Sequence, residues 1–536
     1  MGVASAGMTS IPGKCSRCSE NPAFLSRIAL FLLPLLLLAV RAAPDSNARS
    51  NPTALENARP GTRNWGLSKP ATNREIEGYA SASSVAPGGS LPLHVSAKSH
   101  LFDIDVYRLG WYGGLGARRV AEARGLKGAR RGTPPPRAGD GLVACDWPVS
   151  YSVAVGSDWV SGIYLARLTG KDDGRQAFVP FVVREGAGGT QGREDAPWDR
   201  AGLLFQSSVT TWQAYNNWGG KSLYDFNSSG GKRARRVSFD RPYGSGVGAW
   251  TGLGAGELLT VAHAPRPAGW EYPMLRWLER SGYHVGYATD LDVQRDPGLL
   301  QGRRGFLIVG HDEYWSRVMR DRIEAARDRG TNLGIFAANV GYWQIRLEAP
   351  SAGGESRIMF CAKDAALDSL YDTDADKDLT VRFRDLHPRR PEVALVGMMI
   401  SGENVESDFV PLPEQRKHWA YDGTGIARGT TSSLPGLGGY EVDRSFADDS
   451  LYGRWSPKGL TVLARTPIAP PNGHRSVTET SVYTAPSGAI VFSTGTMQWS
   501  WGLDDWGAPR LRPKRSHPDV ERITRNVLKA FFRGSG

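Results

Sequence analysis

Gly310-His311-Asp312-Glu313 follows the apolar, β-branched run Phe306-Leu-Ile-Val309, so three titratable side chains stand in a row. An imidazole and a carboxylate two residues apart at the end of a buried strand can share a metal ion or pass a proton. Open α/β sheets take their ligands in the crevice beyond the carboxyl ends of their strands, which is where this triplet falls. A plainer use exists for part of it. Asp312 or Ser316 can cap the helix that the next segment predicts, with His311 packed in the turn. Three adjacent polar groups exceed what one cap needs. The chain contains neither a GxSxG-type elbow nor an HExxH, which argues against a Ser–His–Asp mechanism and a zincin site.

The elements that must position these groups are legible as apolar runs. Residues 203–209, 284–289, 306–309 and 332–337 read as strands, with helical patterns at 272–279 and 318–329 between them. A further strand is expected at 489–492 and a terminal helix at 520–532. This alternation predicts βαβ units and a mostly parallel sheet. Such a sheet leaves four polar segments on one rim: 210–220, 311–313, 339–343 and 494–501. Aromatics including Trp212 and Trp499 crowd that rim, as a pocket with a few placed polar groups requires. His311 and Glu313 are expected to lie open on it.

Ahead of this domain, 72–185 carries short alternating runs such as Phe102-Asp-Ile-Asp-Val-Tyr-Arg108, broken by Pro87-Gly-Gly and Asp172-Asp-Gly. Strands with turn signals and little helical period predict a β-sandwich, of the immunoglobulin-like kind. Residues 44–71 read as a linker, 186–198 as a joint, and 360–480 as a Pro- and Gly-rich β insertion. At 536 residues, two or three domains are expected.

Composition narrows the function classes. The net charge of +11 comes from scattered arginines, with no basic stripe interleaved with stacking aromatics, which argues against nucleic-acid binding. Lys14, Arg17 and Arg27 precede an apolar run at 28–40 and then Arg41-Ala-Ala-Pro44, the pattern of a secretory signal over 1–43. Export to the periplasm, envelope or medium follows, with a membrane anchor as the alternative if the segment is retained. Cys15 and Cys18 lie upstream of the apolar run and leave with the signal. Cys145 and Cys361 are expected as two buried thiols, or as a pair across an interface.

Several long motifs carry a family resemblance. They are Thr211-Trp-Gln-Ala-Tyr-Asn-Asn-Trp-Gly-Gly220, Ser238-Phe-Asp-Arg-Pro-Tyr243, Glu271-Tyr-Pro-Met-Leu-Arg-Trp-Leu-Glu279, Gly310-His-Asp-Glu-Tyr-Trp-Ser316, Ala338-Asn-Val-Gly-Tyr-Trp343 and Thr496-Met-Gln-Trp-Ser-Trp-Gly-Leu-Asp504. Over about 200–535 they resemble the large subunit of N,N-dimethylformamidase and its relatives. The resemblance implies a flavodoxin-like, class I glutamine-amidotransferase-like α/β domain at 200–536. It also implies a mononuclear iron held by two tyrosines and a glutamate, with His, Asn and Lys nearby. By motif, Glu313 is the carboxylate ligand, His311 the neighbouring base, Asn339 the substrate-orienting amide and Lys363 the cation. Tyr215 is the clearest tyrosine, and the second is Tyr243 or, at the helix entrance, Tyr272.

Two phenolates and a carboxylate make three anionic oxygens, a set suited to a hard trivalent cation such as iron(III). The expected function is metal-dependent hydrolysis of a C–N bond in a small amide. A non-catalytic carbohydrate- or ligand-binding envelope protein, using the aromatic rim, is the alternative. The family pattern implies a small companion subunit, and a homo-oligomer is equally open.

Overall fold

The computed structural model describes residues 51–185, 201–244, 256–259, 269–349, 356–469, 471, 473 and 475–533. The expected signal segment, Cys15, Cys18 and the joint at 186–198 lie outside the described residues. No described helix is long and apolar enough to cross a membrane.

Residues 72–185 form two sheets that share one apolar cluster. One has the strands Ile76–Ala80, Ser90–Ala97 and Tyr151–Ala154, all antiparallel. The other orders Ser84–Val85, Gln176–Val183, Gly162–Gly170, Leu101–Leu109 and Ala117–Lys127. The alternation read from the sequence turns Leu91, Leu93 and Val95 inward from one sheet. Phe102, Ile104 and Val106 turn inward from the other, and all six belong to the shared cluster.

The second half is built on a seven-stranded sheet in the order Val285–Thr289, Leu203–Ser207, Gly305–His311, Asn332–Ala338, Ile490–Ser493, Ser476–Thr484 and Thr461–Ile468. The first five are parallel, and every residue of the first four is buried. That explains why they read as continuous apolar runs. The helices Glu271–Arg280, Arg317–Asp328 and Pro518–Arg533 accompany the sheet. Among the described residues, then, the chain is an α/β protein with many strands.

Four local readings differ from the structure. Most of 51–71 is docked chain, not a free linker. The helix Pro52–Asn57 buries Thr53 and Glu56, and Trp65 enters the largest apolar cluster. The rim segment after Ser207 opens as the helix Val209–Tyr215. The strand ending at Val309 continues through Gly310 to His311. A short strand, Tyr314–Ser316, then precedes the helix, which Ser316 caps. The region 360–480 is not a separate layer, because its last strand Thr461–Ile468 forms the edge of the main sheet beside Ser476–Thr484. Its other strands, Met399–Phe409 and Leu434–Arg444, make an antiparallel hairpin.

The sandwich and the α/β part share core as well as chain. Tyr107, Leu109, Ile163 and Val182 lie in one cluster with Leu203, Tyr272 and Trp277. Within that seam Arg108 and Glu279, both fully buried, pair at 2.8 Å, and Tyr287 donates to the same carboxylate at 2.9 Å. Removing one partner strands the other charge out of water. Glu279→Ala is therefore expected to lower unfolding stability by about 3–5 kcal/mol. Urea unfolding that changes by under about 1 kcal/mol would show that the seam holds without the pair.

Candidate functional site

The carboxyl ends of the parallel strands bring the sequence motifs together through backbone bonds. The carbonyl of Asp312 accepts from Gly341 N–H at 2.8 Å, and that of Glu313 accepts from Tyr342 and Trp343 N–H at 2.9 Å. Thr211, on the helix Val209–Tyr215, accepts from the Glu313 N–H at 2.9 Å through its hydroxyl. Asn339 and Lys363 both adopt left-handed backbone, with φ of 53° and 61°. Such conformations are strained for non-glycine residues and collect at functional sites.

Three oxygens converge on one point. Tyr215 Oη donates to Glu313 Oε2 at 2.8 Å, Tyr224 Oη to the same oxygen at 2.7 Å, and the two phenol oxygens are 2.9 Å apart. Tyr314 Oη donates to Tyr224 Oη at 2.6 Å. Lys363 covers the cluster. Its Nζ lies 3.4 Å from the Tyr224 ring centre, 4.9 Å from that of Trp343 and 5.2 Å from that of Tyr314.

His311 is the second focus, and three carboxylates face it. Nδ1 is 3.2 Å from Glu257, while Nε2 is 3.4 Å from Glu441 and 3.5 Å from Glu313. Asn339 Nδ2 donates to Glu441 Oε2 at 2.8 Å. The Asn339 N–H donates to Asp443, at 3.0 Å to its nearer oxygen.

Burial dominates the electrostatics. It pushes the Tyr215 and Tyr224 phenols well above their ordinary value, reinforced by the Glu313 charge. Glu313 is itself raised by burial, against the pull of His311 and Lys363. Burial lowers the Lys363 ammonium to about 8, opposed by Glu313. Burial disfavours the His311 imidazolium too, but Glu441 and Glu257 outweigh it and hold its pKa well above the usual value.

Five of the six residues chosen from the sequence meet in this arrangement: Tyr215, Glu313, His311, Asn339 and Lys363. Tyr243 does not join them. Its ring stands edge-on to Trp212 at 6.3 Å, and Gln213 is its hydrogen-bond partner. Tyr272 points to the sandwich, donating to the Gly116 carbonyl at 2.8 Å and packing against Trp65 and Trp506. Tyr224 is the tyrosine that stands beside Tyr215 and Glu313. It lies in irregular chain rich in Ser and Gly, where no period flags it, nine residues after Tyr215. Glu257, Glu441 and Tyr314 were also missed, and only Tyr314 had a signal, standing beside Glu313 in a quoted motif. The rim is less open than expected. His311 and Glu313 are 1 % and 3 % exposed, and Trp212 and Trp499 are core residues at 2 % and 0 %.

Whether the cluster suits a cation can be judged from its edges. Neighbouring ligands of an octahedral ion with bonds of about 2.0–2.1 Å stand about 2.8–3.0 Å apart. The oxygen triangle of Tyr215, Tyr224 and Glu313 has edges of 2.7–2.9 Å. Hydrogen bonds give the same spacing, so protons fill the role while the phenols are neutral. A trivalent cation bound there would take the place of those protons. The donors are two-thirds phenolic, which fits iron(III). No group of three or more His, Cys, Asp and Glu among the described residues has metal-site geometry.

The family model described as N,N-dimethylformamidase beta subunit-like, C-terminal, matches residues 103–514, more than three quarters of the chain. The chain belongs to this family. The match begins inside the sandwich, so that layer is part of the family's layout. None of the curated proteins compared with the chain matches it. Membership in the N,N-dimethylformamidase beta subunit-like family points to amide hydrolysis of the dimethylformamidase kind.

One consequence of the buried acids is measurable. Burial raises Asp443 to about 7, countered by the Asn339 N–H. A carboxyl raised in the folded state binds its proton more tightly there than when unfolded. Its contribution therefore falls as pH rises from about 4 to 7, and the full penalty stands above 7. Asp443→Asn, which keeps an acceptor for Asn339, is expected to gain on wild type by about 2–4 kcal/mol between pH 4 and pH 8. Urea unfolding with parallel pH profiles for the two proteins would contradict this.

Proposed function

We propose that this chain hydrolyses the C–N bond of a small amide, using a mononuclear iron(III) held by Tyr215, Tyr224 and Glu313. The observation that carries the reading is the oxygen triangle of those residues, with His311 Nε2 3.5 Å from its carboxylate. Iron bound there supplies Lewis acidity toward the amide carbonyl and a water.

The chain's own groups handle the protons. His311 and Glu441 together hold one exchangeable proton, with Glu257 fixing the imidazole from its other nitrogen. The pair takes a proton from the attacking water and returns it to the departing nitrogen. The water oxygen bonds to the carbonyl carbon, the C–N bond breaks, and a carboxylic acid and an amine result. Lys363 and Tyr314 hold Tyr224 in place, and Asn339 anchors Glu441. This replaces a lone His311 base with a pair, because the flanking carboxylates favour the charged imidazole.

The five parallel strands and their helices support a flavodoxin-like reading of the second half, and the two-sheet layer an immunoglobulin-like reading of the first. The family's description as a beta subunit supports a companion subunit. The sequence of residues 1–43 supports export. The binding-protein alternative loses its main feature, since Trp212 and Trp499 are enclosed.

Protein expressed with iron is expected to carry about one iron per chain and a visible phenolate charge-transfer band. Tyr224→Phe and Glu313→Gln should lose metal and activity, whereas Tyr243→Phe should keep both. His311→Ala should keep the metal and lower turnover roughly 10²- to 10⁴-fold. Metal loss in Tyr243→Phe but not in Tyr224→Phe would overturn the ligand set.

A further inference from the structure

The sandwich carries a hydroxyl, an imidazole and a carbonyl in series, and none of the three belongs to the strand-end cluster. His94 Nδ1 lies 2.6 Å from the Trp147 carbonyl oxygen, and Ser81 Oγ lies 2.7 Å from His94 Nε2. A carbonyl oxygen only accepts, so Nδ1 carries the hydrogen. In the neutral ring Nε2 is then the bare nitrogen, and Ser81 donates its hydroxyl hydrogen to it. That is the order of groups in an activated serine: a nucleophile, its base, and a third group that orients the base.

Each member is held in place. His94 stands opposite Tyr79 in the register of the strands Ile76–Ala80 and Ser90–Ala97, and the two rings stack at 4.6 Å with 9° between their planes. Trp147 is buried against Tyr79 and Trp218, and its indole N–H donates to the Gly132 carbonyl at 3.0 Å. The Ser81 N–H donates to the Pro92 carbonyl at 3.0 Å. Ser81 stands where the chain leaves one sheet of the sandwich, after Ala80, to enter the other at Ser84. That crossing keeps Ser81, Ala82, Ser83 and His94 half-buried, so each reaches solvent without the GxSxG elbow that the sequence lacks. The N–H groups of Ala82 and Ser83 have no acceptor among the described residues. The N–H just after a nucleophilic serine is a recurrent donor to the oxyanion.

We propose that Ser81 is the nucleophile of a second hydrolytic site, for carboxylic esters, with His94 as its base and the Trp147 carbonyl orienting the ring. This is independent of the amidase reading. Ser81 Oγ bonds to the acyl carbon, and its proton passes to His94 Nε2. The ester C–O bond breaks, and the departing alcohol takes that proton. Water then adds to the acyl carbon and gives a proton to Nε2. The bond to Oγ breaks and Oγ takes the proton back, so an acid and an alcohol result and the serine is restored. The Ala82 N–H is the donor for the oxyanion. A neutral carbonyl supports the imidazolium less than a carboxylate does, which suits esters, with their better leaving groups, over amides.

The test treats the purified full chain with a fluorophosphonate probe and, separately, with p-nitrophenyl acetate. Peptide mass spectrometry is expected to find the probe on Ser81 at stoichiometric level, and the ester to release p-nitrophenolate in a burst followed by slower turnover. Ser81→Ala should lose both signals. His94→Gln, which fills the ring's place without supplying the base, should slow labelling of Ser81 by at least about 100-fold. Probe on other residues, or on none, overturns the proposal, as does labelling of His94→Gln at the wild-type rate. Ester release that persists undiminished in Ser81→Ala belongs to another group and overturns it too. If His94→Gln does not fold, the residue labelled in wild type decides alone.

Discussion

Burying negative oxygen is the constraint on which the rest of this structure turns. Glu257, Glu313 and Glu441 are 1–4 % exposed and face one imidazole, and two phenols lean on one of those carboxylates. Carboxylates out of water are stable only when paired, protonated or bound to a cation. In the chain alone, His311 and Lys363 provide the positive charge and the phenols keep their protons. The arrangement is therefore poised. Its three oxygens stand 2.7–2.9 Å apart, the spacing that ligands of one hard cation would take.

Holding that many acids in place requires rigid supports, and the fold provides them from several directions. Arg241, buried and lowered to about 10 by that burial, donates to the carbonyls of Gln213, Asn216, Trp218 and Lys221. A guanidinium at the end of the helix Val209–Tyr215 suits the helix dipole, and it ties Tyr215 to the chain that leads to Tyr224. Gly310, at φ 75°, lets Trp270 pack against the strand. A Cβ there would lie 2.3 Å from the Trp270 Cβ. The hairpin Met399–Phe409 with Leu434–Arg444 delivers Glu441 and Asp443 to the rim from more than 100 residues away.

Sequence reading succeeded where one physical signal dominated. Strands buried on both faces are continuous apolar runs, so 306–309 and 332–337 announced themselves, and the residues just after them became candidates. His311, Glu313 and Asn339 were visible for that reason, and Tyr215 and Lys363 through motif likeness. What failed was long-range placement. Tyr224 sits in irregular chain and Glu441 in a bulged hairpin, and neither has a local pattern that points to a rim. Tyr243 and Tyr272 were attractive because they stand in motifs that carry the family resemblance, yet packing against Trp212 and Trp65 claims both rings. The expected openness of His311 and Glu313 failed for the same reason. A sequence says which residues end a strand but not what later segments cover them.

We propose Tyr215, Tyr224 and Glu313 as the protein ligands of one hard cation. Anomalous diffraction from crystals of iron-loaded full-length protein, collected at the iron edge, tests it most directly. One strong peak bonded to Tyr215 Oη, Tyr224 Oη and Glu313 is expected. A peak at other residues, or no peak at this triangle from protein that carries stoichiometric iron, would contradict it.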